Sequence, residues 1–118
     1  QRILPGVLHT VNPVANDCYP IYKMNTREYC LLKTRKLGTV LTMEVGALMV
    51  GKICNYVKQP CEVHRGEEKG RFEFGGSTII VMTEPGKVIP DQDLRTNTRE
   101  HAETLVKMGE RIGAQMEQ

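Results

Sequence analysis

Hydrophobic and polar positions alternate in short runs along this chain, a pattern that predicts strands. In the first clear run Arg27, Tyr29 and Leu31 fall on one side and Glu28, Cys30 and Leu32 on the other, predicting a strand over 26–33. The basic stretch Lys33-Thr34-Arg35-Lys36-Leu37-Gly38 then reads as a hairpin loop, with a returning strand over 39–45. The longest apolar tract, 45–57, carries glycines at 46 and 51 among β-branched residues. That spacing predicts a strand over Leu48–Val57 with a close backbone approach, against the helix that Ala47-Leu48-Met49-Val50 alone would favour. Alternation returns at Arg71-Phe72-Glu73-Phe74 and gives way to Thr78-Ile79-Ile80-Val81, a β-branched run that predicts a buried strand.

Residues 1–16 read as a loop around a short strand, with turns signalled by Pro5-Gly6 and Pro13, and 17–25 as irregular chain. Only near the C-terminus does a helical signal appear. Asn97 as a cap with Glu100 three residues later predicts a short helix over 98–105; a helix continuing through 112 competes with it, and Gly109 argues against that. The expected fold is a single mainly β domain over 1–118 with at most one short helix.

One unit occurs twice. Val63-His64-Arg65-Gly66-Glu67-Glu68-Lys69-Gly70 and Val106-Lys107-Met108-Gly109-Glu110-Arg111-Ile112-Gly113 both read Val-x-x-Gly-Glu-x-x-Gly. Two equivalent turns in one β architecture are predicted. Similar turns recur in biotinyl and lipoyl carrier domains, so a barrel-sandwich arrangement is expected. A carrier role would need a modifiable lysine at a hairpin tip, and no lysine stands in the Met-Lys or Asp-Lys setting this requires.

Composition narrows the function classes. The net charge of +2 is too small to point to nucleic acid. Residues 1–76 hold 11 basic and 7 acidic groups, and residues 77–118 hold 5 and 7. The +4 of the first piece suits an anionic lipid surface but is ordinary for a soluble domain. Cys18, Cys30, Cys54 and Cys61 form no Cys-x-x-Cys pair, and His9, His64 and His101 complete no zinc pattern, so no metal is expected and the cysteines read as small packing residues. No run of 18 apolar residues occurs.

The chemistry-bearing stretch is Phe74-Gly75-Gly76-Ser77-Thr78. Two glycines inside a strand pattern mark a bulge, a bend or a close backbone approach. A bend here sets the Ser77 hydroxyl directly after a peptide unit whose Gly76 has no Cβ to obstruct attack on its carbonyl. Attack by the side chain, followed by β-elimination and hydrolysis, cuts the chain between Gly76 and Ser77 and leaves a pyruvoyl group on the new amino end. A ketone beside a carbonyl condenses with amines and accepts electrons from a breaking bond. The plainer reading of the same four residues is a β-bulge with a solvent-facing serine.

Three blocks tip the balance. Residues His64 to Ile80, Val45-Gly46-Ala47-Leu48-Met49-Val50-Gly51-Lys52-Ile53, and Leu4-Pro5-Gly6-Val7-Leu8-His9-Thr10-Val11-Asn12-Pro13 resemble, in the same order, segments of the phosphatidylserine decarboxylases. The Gly-Gly-Ser-Thr form is similar to the family's second type rather than to the Leu-Gly-Ser-Thr form. The resemblance implies a pyruvoyl-dependent lyase, matured by self-cleavage into a β-chain ending at 76 and an α-chain from 77 to 118. It implies that phosphatidylserine is decarboxylated to phosphatidylethanolamine, that Ser77 is the pyruvoyl precursor and Gly76 the cleavage carbonyl, and that His9, Thr10 and Asn12 meet the substrate. For Asn12 an Asx-turn before Pro13, and for His9 a plain surface histidine, are the competing readings. The implied setting is the cytoplasmic face of the cell membrane, held peripherally, with the cleaved β-chain and a second copy as partners. The family's general base and proton donor, an Asp and a His, lie in segments before the position where this chain starts. With Gln1 in place of Met, the chain is expected to be a C-terminal part that holds the electrophile precursor but not the full catalytic set. An uncut β module that binds an anionic or amine-bearing ligand is the alternative, and a carrier-like domain a third.

Overall fold

The computed structural model describes residues 1–7, 13–16, 18–47, 52–74 and 78–116. In chain order the elements are β1 (Arg2–Leu4), α1 (Pro13–Asn16), α2 (Ile21–Met24), β2 (Arg27–Lys33), β3 (Thr39–Val45), β4 (Lys52–Asn55), β5 (Gly70–Glu73), β6 (Thr78–Thr83), β7 (Val88–Pro90), α3 (Gln92–Arg99) and β8 (Gly113–Gln115). The chain is mainly β, as the alternation predicts. β2 falls where the period-two run places it and β3 where the returning strand was expected, while β4 fills only part of the expected 48–57, of which 48–51 lie outside the described residues.

Two compact units make up the chain: Gln1–Leu32 with Leu41–Met82, and Lys33–Val40 with Thr83–Gln118. The first holds a four-stranded sheet, ordered β1-β2-β3-β6, and the antiparallel hairpin β4-β5; the second holds the antiparallel pair β7-β8 and α3. None of these sheets closes into a barrel among the described residues.

Helix content departs from expectation. Among the described residues three short segments occur instead of at most one, and the C-terminal helix lies at 92–99 instead of 98–105. Its cap position is Asp91, in extended backbone, with Asp93 in the first turn. Asn97 closes the helix: its carbonyl accepts the N–H groups of Glu100 and Ala102, and its amide donates to Thr104 Oγ1 at 2.8 Å. His101, at φ 57°, then leaves helical geometry. Leu94 is the one apolar side chain of α3, so the segment has no apolar stripe for periodicity to detect. α2 is a single turn in the stretch expected to be irregular; it buries Ile21 completely.

The repeat is real at the level of single bonds. In each copy the third residue before the strand accepts back onto its own turn: Glu67 takes the His64 N–H and Glu110 the Lys107 N–H. Gly66 and Gly109 sit at φ 85° and 81°, where a Cβ is disfavoured. Each copy then enters a strand through a glycine, with Gly70 opposite Asn55 and Gly113 opposite Pro90. The bond beyond the pair is also shared: Tyr56 N–H donates to Lys69 O and Asp91 N–H to Ile112 O, both at 3.0 Å.

Among the described residues the buried apolar side chains are Ile21, Val45 and Ala47 in the first unit and Val40 in the second. β6 does not join them. Ile79, Val81 and Met82 are 59, 55 and 57% exposed, so the predicted buried strand is a half-open one. β6 lies at the end of its sheet, and an edge strand has a neighbour on one side only. Cys18 and Cys61 are likewise exposed and do not act as packing residues.

In the second unit Glu84 accepts the Thr39 N–H at 2.7 Å, and these bonds to Thr39 hold its carboxyl below the ordinary value of 4.5. The folded chain therefore favours the carboxylate. The resulting stabilisation is full above the unfolded value and fades as pH falls through the lower folded one. Thermal melts between pH 7 and 3 should show Glu84→Gln least stable relative to the parent chain at neutral pH, with the two curves converging on acidification. A gap that stays constant with pH would refute the assignment.

Candidate active site

The residues predicted to carry the chemistry, Gly76 and Ser77, and those predicted to meet substrate, His9, Thr10 and Asn12, lie outside the described residues. What the structure describes is the framework from which their segments depart.

Two of the three sequence blocks leave from one hydrogen-bonded knot. Val7 forms a parallel bridge with Asn25: its N–H donates to Met24 O at 3.0 Å, and its carbonyl accepts the Thr26 N–H at 3.1 Å. Thr26 Oγ1 clamps Gly6 from both sides, accepting its N–H at 3.1 Å and donating to its carbonyl at 2.9 Å. Asn25, fully buried, donates from Nδ2 to Gly46 O at 2.8 Å, and the Gly46 N–H returns to Thr26 O at 2.8 Å. A buried amide is costly unless paired, so Asn25 fixes the position of both strands it bonds. The lead-in to the His9–Asn12 block and the lead-in from Val45 toward Lys52 are thus tied to the same two residues.

The third block bridges two sheets. β5 belongs to the β4-β5 hairpin, whereas β6 pairs with β3 in the four-stranded sheet. The connection between Phe74 and Thr78 is therefore a crossover. Phe74, its last described residue on the β5 side, sits at φ 65° and is 82% exposed. That conformation costs a bulky L-residue about 1–2 kcal/mol. It also breaks the alternation that put Phe72 and Phe74 on one face: Phe72 is half-buried and Phe74 faces solvent.

Between the two sheets lies a polar cluster that the sequence reading missed. Lys69 Nζ donates to Glu44 Oε1 at 2.6 Å and to Asn55 Oδ1 at 3.1 Å; Asn55 Nδ2 donates to Glu28 Oε2 at 2.7 Å and Glu44 Oε2 at 3.3 Å. Glu44 is buried. A single carboxylate inside the apolar run Leu41-Thr42-Met43-Glu44-Val45 was the available signal, since an unpaired charge there is too costly to leave alone.

Neither of the nearby described candidates supplies a base. Glu73, the described carboxylate closest in sequence to Ser77, bonds Lys52 at 2.9 Å and accepts from Cys54 Sγ at 3.3 Å. Lys52 first, then Cys54, holds its carboxyl below the ordinary range, which makes it a weaker proton acceptor. His64 is exposed and occupies the repeat turn, the context that argued against it. A larger cleft of about 690 Å³ is lined by Arg2, Tyr29, Leu31, Val57 and Val63 among others, but by neither Phe74 nor Thr78.

The family model described as phosphatidylserine decarboxylase matches residues 1–114. Among curated relatives, phosphatidylserine decarboxylase proenzyme 2 of Clostridium acetobutylicum is 43% identical over 113 residues, 96% of this chain and 38% of the relative. The phosphatidylserine decarboxylase proenzyme of Fusobacterium nucleatum is 45% identical over 95 residues, 80% of this chain and 32% of the relative. Proenzyme 3 of Schizosaccharomyces pombe is 40% identical over 115 residues, 97% of this chain and 12% of the relative. The chain thus spans well under half the length of these relatives. No solved structure matches it.

Proposed function

We propose, because this chain belongs to the phosphatidylserine decarboxylase family, that the protein carrying it decarboxylates phosphatidylserine to phosphatidylethanolamine and releases carbon dioxide. The observation that carries this reading is the family match; it is supported by the strands on either side of Gly75–Ser77, β5 and β6, belonging to different sheets. In this reading Ser77 Oγ attacks the Gly76 carbonyl and the peptide nitrogen leaves it, giving an ester with a free amine on residue 77. Loss of the residue 77 Cα proton expels the Gly76 carboxylate. Water then replaces the resulting enamine nitrogen, which departs as ammonia, and a pyruvoyl group caps the new chain. That group supplies an electrophilic ketone that holds the substrate amine and takes up the electrons freed when the carboxylate leaves.

The residues of this chain have separate tasks. The Asn25–Thr26 knot holds the lead-in to His9, Thr10 and Asn12, which orient the substrate headgroup. β6 carries the new amino end and stays in its sheet through β3, so the two pieces remain one molecule after the cut. The proton acceptor for Ser77 and the proton donor to the product come from the part of the relatives that this chain does not span. Intact mass of the full-length polypeptide tests the reading. Two pieces divided at Gly76, the second gaining mass with borohydride and an amine, are expected; one uncut piece without a carbonyl would favour the ligand-binding alternative.

The substrate also sets the location, at the cytoplasmic membrane surface. Support comes from the β2–β3 loop, where Lys33, Arg35 and Lys36 are exposed on a turn closed by Thr34, whose N–H donates to Gly38 O at 2.9 Å. Each cation near an anionic leaflet contributes about 1 kcal/mol. Reversing Arg35 and Lys36 to Glu should weaken low-salt cosedimentation with phosphatidylserine vesicles about tenfold or more; unchanged partition would remove the loop from the membrane contact.

A further inference from the structure

We infer that the Glu28–Glu44–Asn55–Lys69 cluster is a positioning device for self-cleavage, setting the distance between the two arms of the cleavage segment. The inference rests on the maturation proposed above and assigns a role to residues outside the cleavage segment.

The argument starts from connectivity. The arms of the segment, β5 and β6, belong to different sheets. Whatever fixes one sheet against the other therefore fixes the span that Gly75–Ser77 must bridge. The cluster joins these two sheets: Glu28 and Glu44 stand on β2 and β3, Asn55 on β4, and Lys69 immediately before β5. Its ion pair measures 2.6 Å, with Glu44 at 9% side-chain exposure and Lys69 at 35%. The same pair lines a small cavity, about 130 Å³, with Ile53, Phe72 and Ile79. Phe72 lies on the β5 arm and Ile79 on the β6 arm, so the cluster sits at the roots of both.

A purely stabilising role explains this placement poorly. Burying a carboxylate is expensive, and apolar side chains of similar volume in such surroundings often serve stability as well or better. They do not supply directional bonds. Three of the cluster's four bonds cross between the sheets, Lys69 to Glu44 and Asn55 to Glu28 and Glu44, and together they define one separation and one register of the two. For an attack that requires Ser77 Oγ to reach the carbonyl one residue back, a small displacement of either arm lowers the rate steeply.

The test follows precursor cleavage over time in the full-length polypeptide, at a temperature well below every melting point. Glu44→Gln and Lys69→Met should each slow cleavage tenfold or more. Decarboxylation per reducible carbonyl, counted only in molecules that have been cut, should stay at the parent level. Lys52→Met, which loses the exposed pair with Glu73 on the adjacent strands, should cleave as the parent does. The decisive variant is Glu44→Leu with Lys69→Met. Its melting temperature should match or exceed the parent's, while its cleavage remains slow. Cleavage within twofold of the parent in that variant, or in both single variants, overturns the inference and leaves the maturation reading standing. A parent polypeptide that never cuts overturns both.

Discussion

Ser77→Ala is expected to leave the full-length polypeptide as one uncut piece, with no borohydride-reducible carbonyl and no turnover of phosphatidylserine. In the proposed maturation the side-chain oxygen is both the attacking atom and the atom eliminated with the Gly76 carboxylate to open the way to the ketone, so its removal has no partial form. Deleting the nucleophile of a covalent mechanism costs on the order of 10⁴- to 10⁶-fold, which here means activity at background. Folding should be unaffected, because the change removes one oxygen from a segment of glycines. Intact mass, carbonyl labelling and released carbon dioxide, measured on the same preparation, must fall together. Recovery of two pieces with a carbonyl from this variant would show that another residue makes the group.

The second large effect concerns the start of β5. A Cβ added at Gly70 would lie 2.4 Å from the Cys54 carbonyl oxygen, 2.7 Å from Asn55 Oδ1 and 2.8 Å from Asn55 Cα. Two of these atoms are backbone and cannot swing aside, and the third belongs to the inter-sheet cluster. Gly70→Ala should therefore destabilise by about 1–3 kcal/mol, as overpacking generally does, and lower the melting temperature by roughly 5–15 °C. Gly66→Ala, four residues earlier, is the matched control. Nothing lies within 4 Å of its added Cβ, so only the φ of +85° opposes it. That costs about 1 kcal/mol. Thermal melts should rank Gly70→Ala well below Gly66→Ala. Equal effects would show that the close approach at Gly70 relaxes freely. Because Asn55 must move, Gly70→Ala should also slow cleavage, whereas Gly66→Ala should not.

Legibility varied with the range of the interaction. The Val-x-x-Gly-Glu-x-x-Gly units were readable as two equivalent turns, because the glutamate bond that closes each one reaches only three residues along the chain. β2 was equally readable from period-two alternation, and β3 from the basic hairpin loop that precedes it. α3 was misplaced because Leu94 is its one apolar residue and a single residue makes no apolar stripe, and α2 because four residues are too few to show one. The buried-strand expectation for 78–81 failed for a different reason. Ile79 and Val81 have the composition of a core strand, but composition does not say whether a strand lies at a sheet's edge. Glu44 shows the same limit. An acid in an apolar run signals that a partner must exist, and nothing local identifies Lys69, 25 residues later, as that partner.

The amino-acid order by itself determined the local features: the strand periods, the paired turns and the family blocks. Each depends on steric and hydrogen-bond preferences acting over a few neighbouring residues. The tertiary structure alone decided that β5 and β6 part into different sheets, that Phe74 turns left-handed at the end of β5, and that Glu44 and Lys69 meet across those two sheets. Those outcomes depend on contacts between distant segments, where burial and charge pairing are settled together by the whole fold and leave no periodic trace along the chain.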